Sequence, residues 1–262
     1  MNQINVKEGA TFGYGILMEH WRSIAPLIII MLPAFFVVSM LGQYLTNPMV
    51  SNVANNVWVR FPSTLLISLL QFWLIAPFHV SIYRLVLCKE PVDMSYYQRL
   101  FCPREINYFW KQVIFTLILM SIMIAFGFAI SIPILLATFM ESIIMGVFAG
   151  FAASVCFIAL IVVISLRLSL VFPAISVDQD LEFLSSYQKL KGHTWKFFLC
   201  VTLAVLPYIA LSLLMLPLMF FMLNSLIGLS VITLIQTGLG FLLSVPIIVV
   251  IAYAFQKISV TE

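Results

Sequence analysis

Charged residues are scarce in this sequence, and their scarcity excludes a water-soluble fold. Asp, Glu, Lys and Arg make up 9% of the 262 residues, whereas soluble domains carry roughly a quarter. Apolar residues reach 63% and the mean hydropathy is +1.13, so too few polar side chains exist to cover a surface in water. The formal net charge of +3 is also too small to indicate nucleic-acid binding. The composition therefore predicts an integral membrane protein.

The sequence also lacks the motifs of hydrolases, metalloenzymes and nucleotide-binding proteins. No HExxH, GxSxG or Walker loop occurs, and no pair of carboxylates lies within an apolar run. The four cysteines show no CxxC pair and no Cys/His spacing for a metal, so we expect free thiols. The first long apolar run begins after residue 23 without a small-x-small cleavage site, so we expect no cleaved signal peptide. We expect no enzyme, cofactor or metal.

Long apolar runs are abundant, and their lengths indicate membrane spans. A helix needs on the order of 20 apolar residues to cross the hydrocarbon core, and it must satisfy its own backbone hydrogen bonds there. We predict an all-α protein with about six spans in one integral membrane domain, and the six stretches that qualify are Ile24 to Gly42, Ser63 to Tyr83, Val113 to Ala137, Gly146 to Leu166, Phe197 to Phe220, and Leu226 to Phe255.

The basic residues fall almost entirely on one side of these spans. Twelve of the thirteen Lys and Arg lie in the N-terminal segment, in the loops 84–111 and 167–196, or in the C-terminal segment. Arg60 is the exception. Because short loops rich in Lys and Arg stay in the cytoplasm, both termini are predicted to be cytoplasmic. The longest loop on the other side covers residues 43–61.

Recurring residues suggest an internal repeat of three helical hairpins. Trp21, Trp110 and Trp195 each stand just before a span, at intervals of about 85 residues. The segment from Tyr97 to Leu100 matches that from Tyr187 to Leu190 in pattern. These matches predict repeat units over residues 8–88, 93–173 and 178–258.

Each unit opens with a short amphipathic segment, which we call a foot. The apolar faces are built by Tyr14, Leu17, Met18 and Trp21; by Tyr97, Leu100 and Phe101; and by Phe183, Tyr187 and Leu190. Pro103 is predicted to break the second foot. In the third foot, Asp180 is the predicted cap, Gly192 the predicted end, and Ser186 belongs to the polar face. Such helices either lie in the membrane interface or pack as connecting helices against the span ends.

Aromatic and basic residues at these positions are candidates for contact with lipid headgroups or a partner protein. They are Trp21, Arg22, Arg99, Trp110, Lys111, Arg167, Lys189, Lys191, Trp195 and Lys196. Tryptophan and basic side chains favour the headgroup region of a bilayer. Anchoring or simple packing is the alternative for Arg167 in particular.

A few polar residues lie within or beside the spans. Gln71, Gln236 and Asn224 are candidates for substrate contact, although interhelical hydrogen bonding is the usual explanation for such residues, and His79 is a further polar candidate. For His79 the alternatives are hydrogen bonding near the interface and a proton relay. The pair Gly146 and Gly150 has the small-xxx-small spacing that favours close helix contact.

One stretch resembles a known bacterial pattern. Residues 167–178 read Arg-Leu-Ser-Leu-Val-Phe-Pro-Ala-Ile-Ser-Val-Asp, and Ser-Tyr-Gln-Lys-Leu-Lys-Gly follows at residues 186–192. This stretch is similar to the six-span YciC-like family of bacterial inner-membrane proteins and to the membrane domain fused to some glycerophosphodiester phosphodiesterases. The phosphodiesterase catalytic domain has no counterpart here. The resemblance implies a bacterial inner-membrane location and supplies no active site.

Three functions remain in view. The first is a non-enzymatic membrane protein whose basic, aromatic feet contact lipid headgroups or a partner protein at the cytoplasmic face. The second is a transporter or channel for a small or lipidic molecule, indicated by prolines within the spans and by the polar residues there. An intramembrane enzyme is third, and it requires titratable groups gathered with His79 around one cavity.

Overall fold

In the computed structural model, described for residues 4–46, 56–92, 95–139, 143–222 and 226–259, every regular element is a helix. In chain order they are α1 Val6–Glu19, α2 Trp21–Thr46, α3 Val57–Leu87, α4 Tyr96–Arg99, α5 Pro103–Phe139, α6 Ile143–Leu168, α7 Val171–Ser176, α8 Phe183–Lys189, α9 Thr194–Met222 and α10 Leu226–Ser259. Six of them are long and apolar enough to cross a membrane. The predicted all-α polytopic class is confirmed.

The six long helices coincide with the six predicted spans but extend further. Helix α5 begins at Pro103, ten residues before the predicted start, because proline in the first turn forfeits no helical hydrogen bond. Helix α3 continues past Tyr83 to Leu87. Consecutive long helices pack against each other as the pairs α2/α3, α5/α6 and α9/α10. The polar flanks of the spans thus continue as helix instead of forming loops.

The buried core lies toward one end of the bundle, which we call the basic end. It is the end at which α1 begins and α10 finishes, where Glu8 and Lys257 form an ion pair of 3.4 Å. The described terminal segments therefore meet on the same side. At the basic end, buried side chains from α2, α3, α7 and α10 form one cluster, which includes Met31, Phe78, Val171 and Val249.

Helix α7 is a short buried segment at the centre of this core. All six of its residues are buried, including Pro173. The amide N–H groups of Asp178 and Gln179 donate to the carbonyls of Ile175 and Ala174, at 3.1 and 2.9 Å. Asp178 itself has a φ of 59°, a left-handed conformation that Asp tolerates better than most residues. The stretch used above for the family resemblance is thus largely a core element.

Helix α1 packs into the bundle through two glycines. Gly9 and Gly13 are both buried, and a Cβ atom added to Gly13 would lie 2.9 Å from the carbonyl oxygen of Pro246 in α10. A Cβ on Gly9 would lie 3.0 Å from the Cys200 sulfur in α9. The small-xxx-small spacing at residues 9–13 therefore mediates a close helix contact, a pair that sequence reasoning overlooked. Gly146 of the predicted pair has no described surroundings.

The three feet each pack against the hairpin of another unit. Helix α1 contacts α9 and α10, α4 contacts α2 and α3, and α8 contacts α6. The Tyr14 hydroxyl donates to the Ala204 carbonyl at 2.7 Å, and the Tyr97 hydroxyl donates to the Ile30 carbonyl at 2.8 Å. Ala204 lies nine residues after Trp195, and Ile30 lies nine residues after Trp21, so the two acceptors occupy matching positions in their hairpins. The repeat over residues 8–88, 93–173 and 178–258 stays a prediction, but this arrangement is what it would produce.

Two details of the feet differ from the sequence prediction. Asp180 does not cap α8, since the helix starts at Phe183 with Glu182 in the cap position. Ser186, placed on the polar face, is fully buried, and its hydroxyl donates to the Arg167 carbonyl at 2.6 Å. The reason is that α6 covers this face of α8. Gly192 has the expected left-handed φ of 93°.

Candidate functional sites

Arginine and carboxylate side chains form a cluster at the basic end. Arg84 lies in the last turn of α3 and donates from Nε and Nη2 to the two carboxylate oxygens of Glu90, with Nε 2.5 Å from Oε2. Its Nη1 also donates to the Ser176 carbonyl at 3.2 Å and to Asp178 at 3.4 Å. Arg104 donates from Nε and Nη2 to the two oxygens of Asp178, each at 2.7 Å. The cluster thereby joins α3, α5 and the end of α7.

A further ion pair of this cluster, between Arg99 and Glu105, is almost entirely buried. Arg99, at the end of α4, donates from Nε and Nη2 to Oε1 of Glu105 at 2.9 and 2.5 Å, and from Nη1 to the Ser81 hydroxyl at 2.8 Å. Glu105 is only 2% exposed and lies in the first turn of α5, where the helix dipole favours a carboxylate. Its other oxygen, Oε2, has no hydrogen-bond partner within the described residues.

These groups line a cavity of about 680 Å³, which we call the charged cavity. Its lining comprises three guanidinium groups, three carboxylates and several neutral residues: Ser81, Arg84, Glu90, Pro91, Arg99, Cys102, Pro103, Arg104, Glu105, Asn107 and Asp178. Hydrogen bonds from Arg84 lower the pKa of Glu90, and those from Arg104 lower the pKa of Asp178. The lining thus combines guanidinium groups with carboxylates that pair with them, so the wall presents both signs of charge.

A second cavity, of about 330 Å³, lies among α2, α3 and α10 and is lined mainly by uncharged polar residues. We call it the polar cavity, and its lining residues are Ser39, Gly42, Gln43, Thr64, Ile67, Ser68, Gln71, Thr233, Gln236 and Thr237. Two of the predicted intramembrane residues, Gln71 and Gln236, meet here. The Gln71 amide donates to the Ser39 hydroxyl at 3.3 Å. Asn224 and residues 47–55 lie outside the described residues.

His79 contacts neither cavity wall. Its Nδ1 lies 2.9 Å from the Tyr108 hydroxyl, and its Nε2 is buried without a hydrogen-bond partner in the described structure. The ring lies beside Phe78 and Tyr108. Among the described residues no group of three or more His, Cys, Asp or Glu side chains is placed to hold a metal ion. The condition set for an intramembrane enzyme, titratable groups gathered with His79 at one cavity, is not met there.

The three tryptophans predicted to contact headgroups are exposed. Trp21, Trp110 and Trp195 are 44%, 56% and 68% exposed. Each of these tryptophans lies in the first helix of its hairpin and is followed directly by a basic residue. Of these, Arg22 is exposed and Lys111 lies half-buried with its Nζ 5.8 Å from the Phe183 ring centre. Lys196 is half-buried.

The other basic candidates divide between internal and external positions. Arg99 belongs to the charged cavity, as described above. Arg167 donates to the Thr194 hydroxyl at 2.9 Å and stacks over the Tyr187 ring at 4.7 Å, so it joins α6, α8 and α9. Lys189 is half-buried in the last turn of α8, whereas Lys191 is exposed. Lys191 and Arg22 are therefore the basic candidates most open to an external contact.

Sequence reasoning missed the charged cavity itself. Arg84 and Arg104 were counted only for topology, Asp178 was noted only in the family resemblance, and Glu90 and Glu105 were not singled out. The available signal was that the loops 84–111 and 167–196 contain six acidic residues among their Lys and Arg residues. The pairs Arg84–Glu90 and Arg99–Glu105 each join residues six apart in the chain. Asp178, in contrast, reaches Arg84 and Arg104 from far along the chain, and no local spacing rule reveals those contacts.

Comparison with protein-family models, with curated proteins and with solved structures finds no match for this chain. The fold and composition establish its class directly: six apolar helices of spanning length make it a multi-pass integral membrane protein.

Proposed function

We propose that this chain is a non-enzymatic protein of the bacterial inner membrane, related to the YciC-like family, whose basic end faces the cytoplasm and engages anionic lipid headgroups. The observation that carries the proposal is the set of three exposed tryptophans at the starts of the hairpins, each followed by a basic residue. Tryptophan rings favour the headgroup level, and nearby Lys and Arg attract anionic lipids.

The charge distribution supports this orientation. Twelve of thirteen basic residues belong to segments on one side of the spans, and the ion pair between Glu8 and Lys257 brings the described terminal segments together there. Arg99 and Arg167 are held by internal partners. The lipid contact is therefore assigned to the outward-facing residues: Trp21, Arg22, Trp110, Lys191 and Trp195.

Removing two exposed charges tests the proposal. The double variant Arg22→Gln and Lys191→Gln should retain anionic lipid about fivefold less per removed charge, since each basic residue near the surface contributes about 1 kcal/mol. Retention of phosphatidylglycerol and cardiolipin is measured by native mass spectrometry after gentle extraction. Arg60→Gln, an exposed arginine at the opposite end, is the matched control. Unchanged lipid retention would remove this function, and loss of a co-purifying protein instead would assign the surface to a protein partner.

A second function, binding or passage of a small uncharged polar molecule, is favoured by the polar cavity. Its wall offers hydroxyl and amide groups from three spans and no ionisable side chain among the residues that line it. Such a surface suits a hydroxylated solute or a file of water molecules. An alternative explanation is that these polar residues serve only to form hydrogen bonds between α2, α3 and α10.

Thiol labelling separates these two explanations. In a background with the native cysteines replaced by serine, Ser68→Cys at the polar cavity should react with a membrane-impermeant thiosulfonate. Ser121→Cys, exposed on the outer face of α5, is the control and should stay unlabelled because it faces lipid. Absence of labelling at both positions would show that the cavity is closed to water, and would leave hydrogen bonding between helices as its role.

A further inference from the structure

The residues that line the polar cavity form one stripe on each of its three helices. The stripes are Ser39, Gly42 and Gln43 on α2; Thr64, Ile67, Ser68 and Gln71 on α3; and Thr233, Gln236 and Thr237 on α10. Spacings of three and four residues place each set on one face of its helix. Along α3, which runs toward the basic end, Thr64 is exposed whereas Ser68 and Gln71 are half-buried. The cavity therefore deepens toward the basic end.

A phenylalanine continues each of these stripes toward the basic end. Phe35 lies about one turn before Ser39 on α2, which runs away from the basic end. Phe78 lies about two turns, and Phe241 about one turn, beyond the last lining residues of α3 and α10, which run toward it. The centre of the Phe241 ring is 4.8 Å from that of Phe35 and 5.6 Å from that of Phe78, both edge-to-face. The three rings, which we call the aromatic triad, thus meet on the basic side of the polar cavity.

Packed apolar side chains continue from the aromatic triad toward the basic end. Phe78 and Phe241 are buried, and they belong to one cluster with Met31, Val245 and Val249, the next buried residues of α2 and α10. A polar solute that entered this layer would lose its hydrogen bonds without gaining others, and water also leaves such narrow apolar constrictions. The described floor of the polar cavity is therefore apolar and filled.

We infer that the polar cavity is a binding site entered from the end opposite the basic end, and that the aromatic triad closes it against passage. This inference rests on the second proposed function, the binding or passage of a small uncharged polar molecule, and it selects binding. The walls offer hydroxyl and amide groups to the solute, whereas the aromatic triad offers it no hydrogen-bond partner. A solute that enters the cavity leaves by the same route.

Sided thiol labelling of the full chain in sealed vesicles tests this closure. In the background without native cysteines, two reporter variants identify the sides: Trp58→Cys, at a residue 88% exposed near the start of α3, and Lys191→Cys, at the basic end. An impermeant thiosulfonate should label Ser68→Cys at least about tenfold faster from the side that labels Trp58→Cys, because the apolar floor excludes the reagent. Equal rates from both sides would overturn the inference and leave passage of a solute as the function. Absence of labelling from either side would overturn both.

Removing one ring of the aromatic triad locates the barrier. Val245 is fully buried one turn beyond Phe241, so Val245→Cys should stay unlabelled from both sides. Combined with Phe241→Ala, it should be labelled at least about tenfold faster from the side of Trp58→Cys, because the cavity then reaches it.

The matched control is Phe172→Ala, which empties a different part of the same buried cluster and should leave Val245→Cys unlabelled. Labelling of Val245→Cys that is the same with Phe172→Ala as with Phe241→Ala would overturn the role of the aromatic triad. If Phe241→Ala does not fold, the sided labelling of Ser68→Cys still decides whether the cavity is closed.

Discussion

The basic end and the rest of the bundle both contain many large apolar side chains but pack them differently. At the basic end, α3 buries Phe78, Val80 and Ile82 completely and α7 is wholly enclosed. Away from it, α5 exposes Leu117, Met123 and Phe128 along its outer face. Lipid tails are as apolar as these side chains, so moving the side chains from lipid into a helix interface gains little free energy. The spans therefore need not bury them. The difference shows that the specific tertiary packing is concentrated at the basic end.

The largest test of this difference compares two phenylalanines. Phe78→Ala should lower the free energy of unfolding by about 3–5 kcal/mol, because it leaves a cavity in a filled core. Phe128→Ala should change it by less than about 0.5 kcal/mol, since Phe128 is 71% exposed. Thermal and denaturant unfolding in detergent provide the measurement. Similar losses at both positions would show that the two ends are equally packed.

The glycine contact of α1 gives the next largest effect. Gly13→Val should destabilise the protein by about 1–3 kcal/mol, because its Cβ would press on the Pro246 carbonyl and force the helices apart. Gly15→Ala is the matched control, since a Cβ there meets nothing within 4 Å and alanine favours the helix. Protease sensitivity near residue 13, together with thermal unfolding, reports the change. A neutral Gly13→Val variant would contradict the close packing of α1.

The hydrogen bonds of the feet should contribute less. Tyr14→Phe and Tyr97→Phe each remove one hydroxyl that donates to a span carbonyl, so each should cost about 0.5–1.5 kcal/mol. Tyr44→Phe, exposed near the opposite end of α2, is the control. The same unfolding assay applies, and no loss at either foot would mean that lipid or water replaces these bonds without penalty.

The smallest expected effect is a dependence on pH from the charged cluster. Arginine partners lower the folded-state pKa of Glu90 and Asp178, so their contribution is complete above the unfolded pKa and is lost as the pH falls below about 4. Asp178→Asn, which tolerates the same left-handed backbone, should flatten the loss of stability on acidification. Asp180→Asn, an exposed carboxylate two residues along, should not. If the stability of both variants depended on pH in the same way, the charged cluster would not be the cause of the loss of stability at low pH.

Most of the membrane architecture was predictable from the sequence. The bilayer imposes a length and an apolar composition on each span, so the six helices follow from hydropathy alone. Helix ends were less accurate, because amphipathic flanks continue α3 and α5 beyond the apolar runs. Periodicity also identified apolar faces of the feet without telling what covers them, which is why buried Ser186 was placed on a polar face.

The candidate sites were only partly predictable. Gln71 and Gln236 were chosen as polar residues within apolar runs, and the fold brings them to one cavity. Glu105 was not singled out from the sequence, because its burial depends on α4 packing against α2 and α3. Arg99 was predicted to contact lipid headgroups or a partner protein, but it pairs with Glu105 and Ser81. Tertiary packing, which local sequence does not encode, decides which charges face outward.

The docking of α1 also bears on how the chain is assembled during synthesis. Helix α1 is made before α9 and α10, yet these two later helices supply the surface that receives Gly9 and Gly13. A nascent chain therefore carries α1 without its packing partners until the α9/α10 hairpin has entered the membrane. A chain that stops before α9 keeps the glycine face of α1 accessible to proteases.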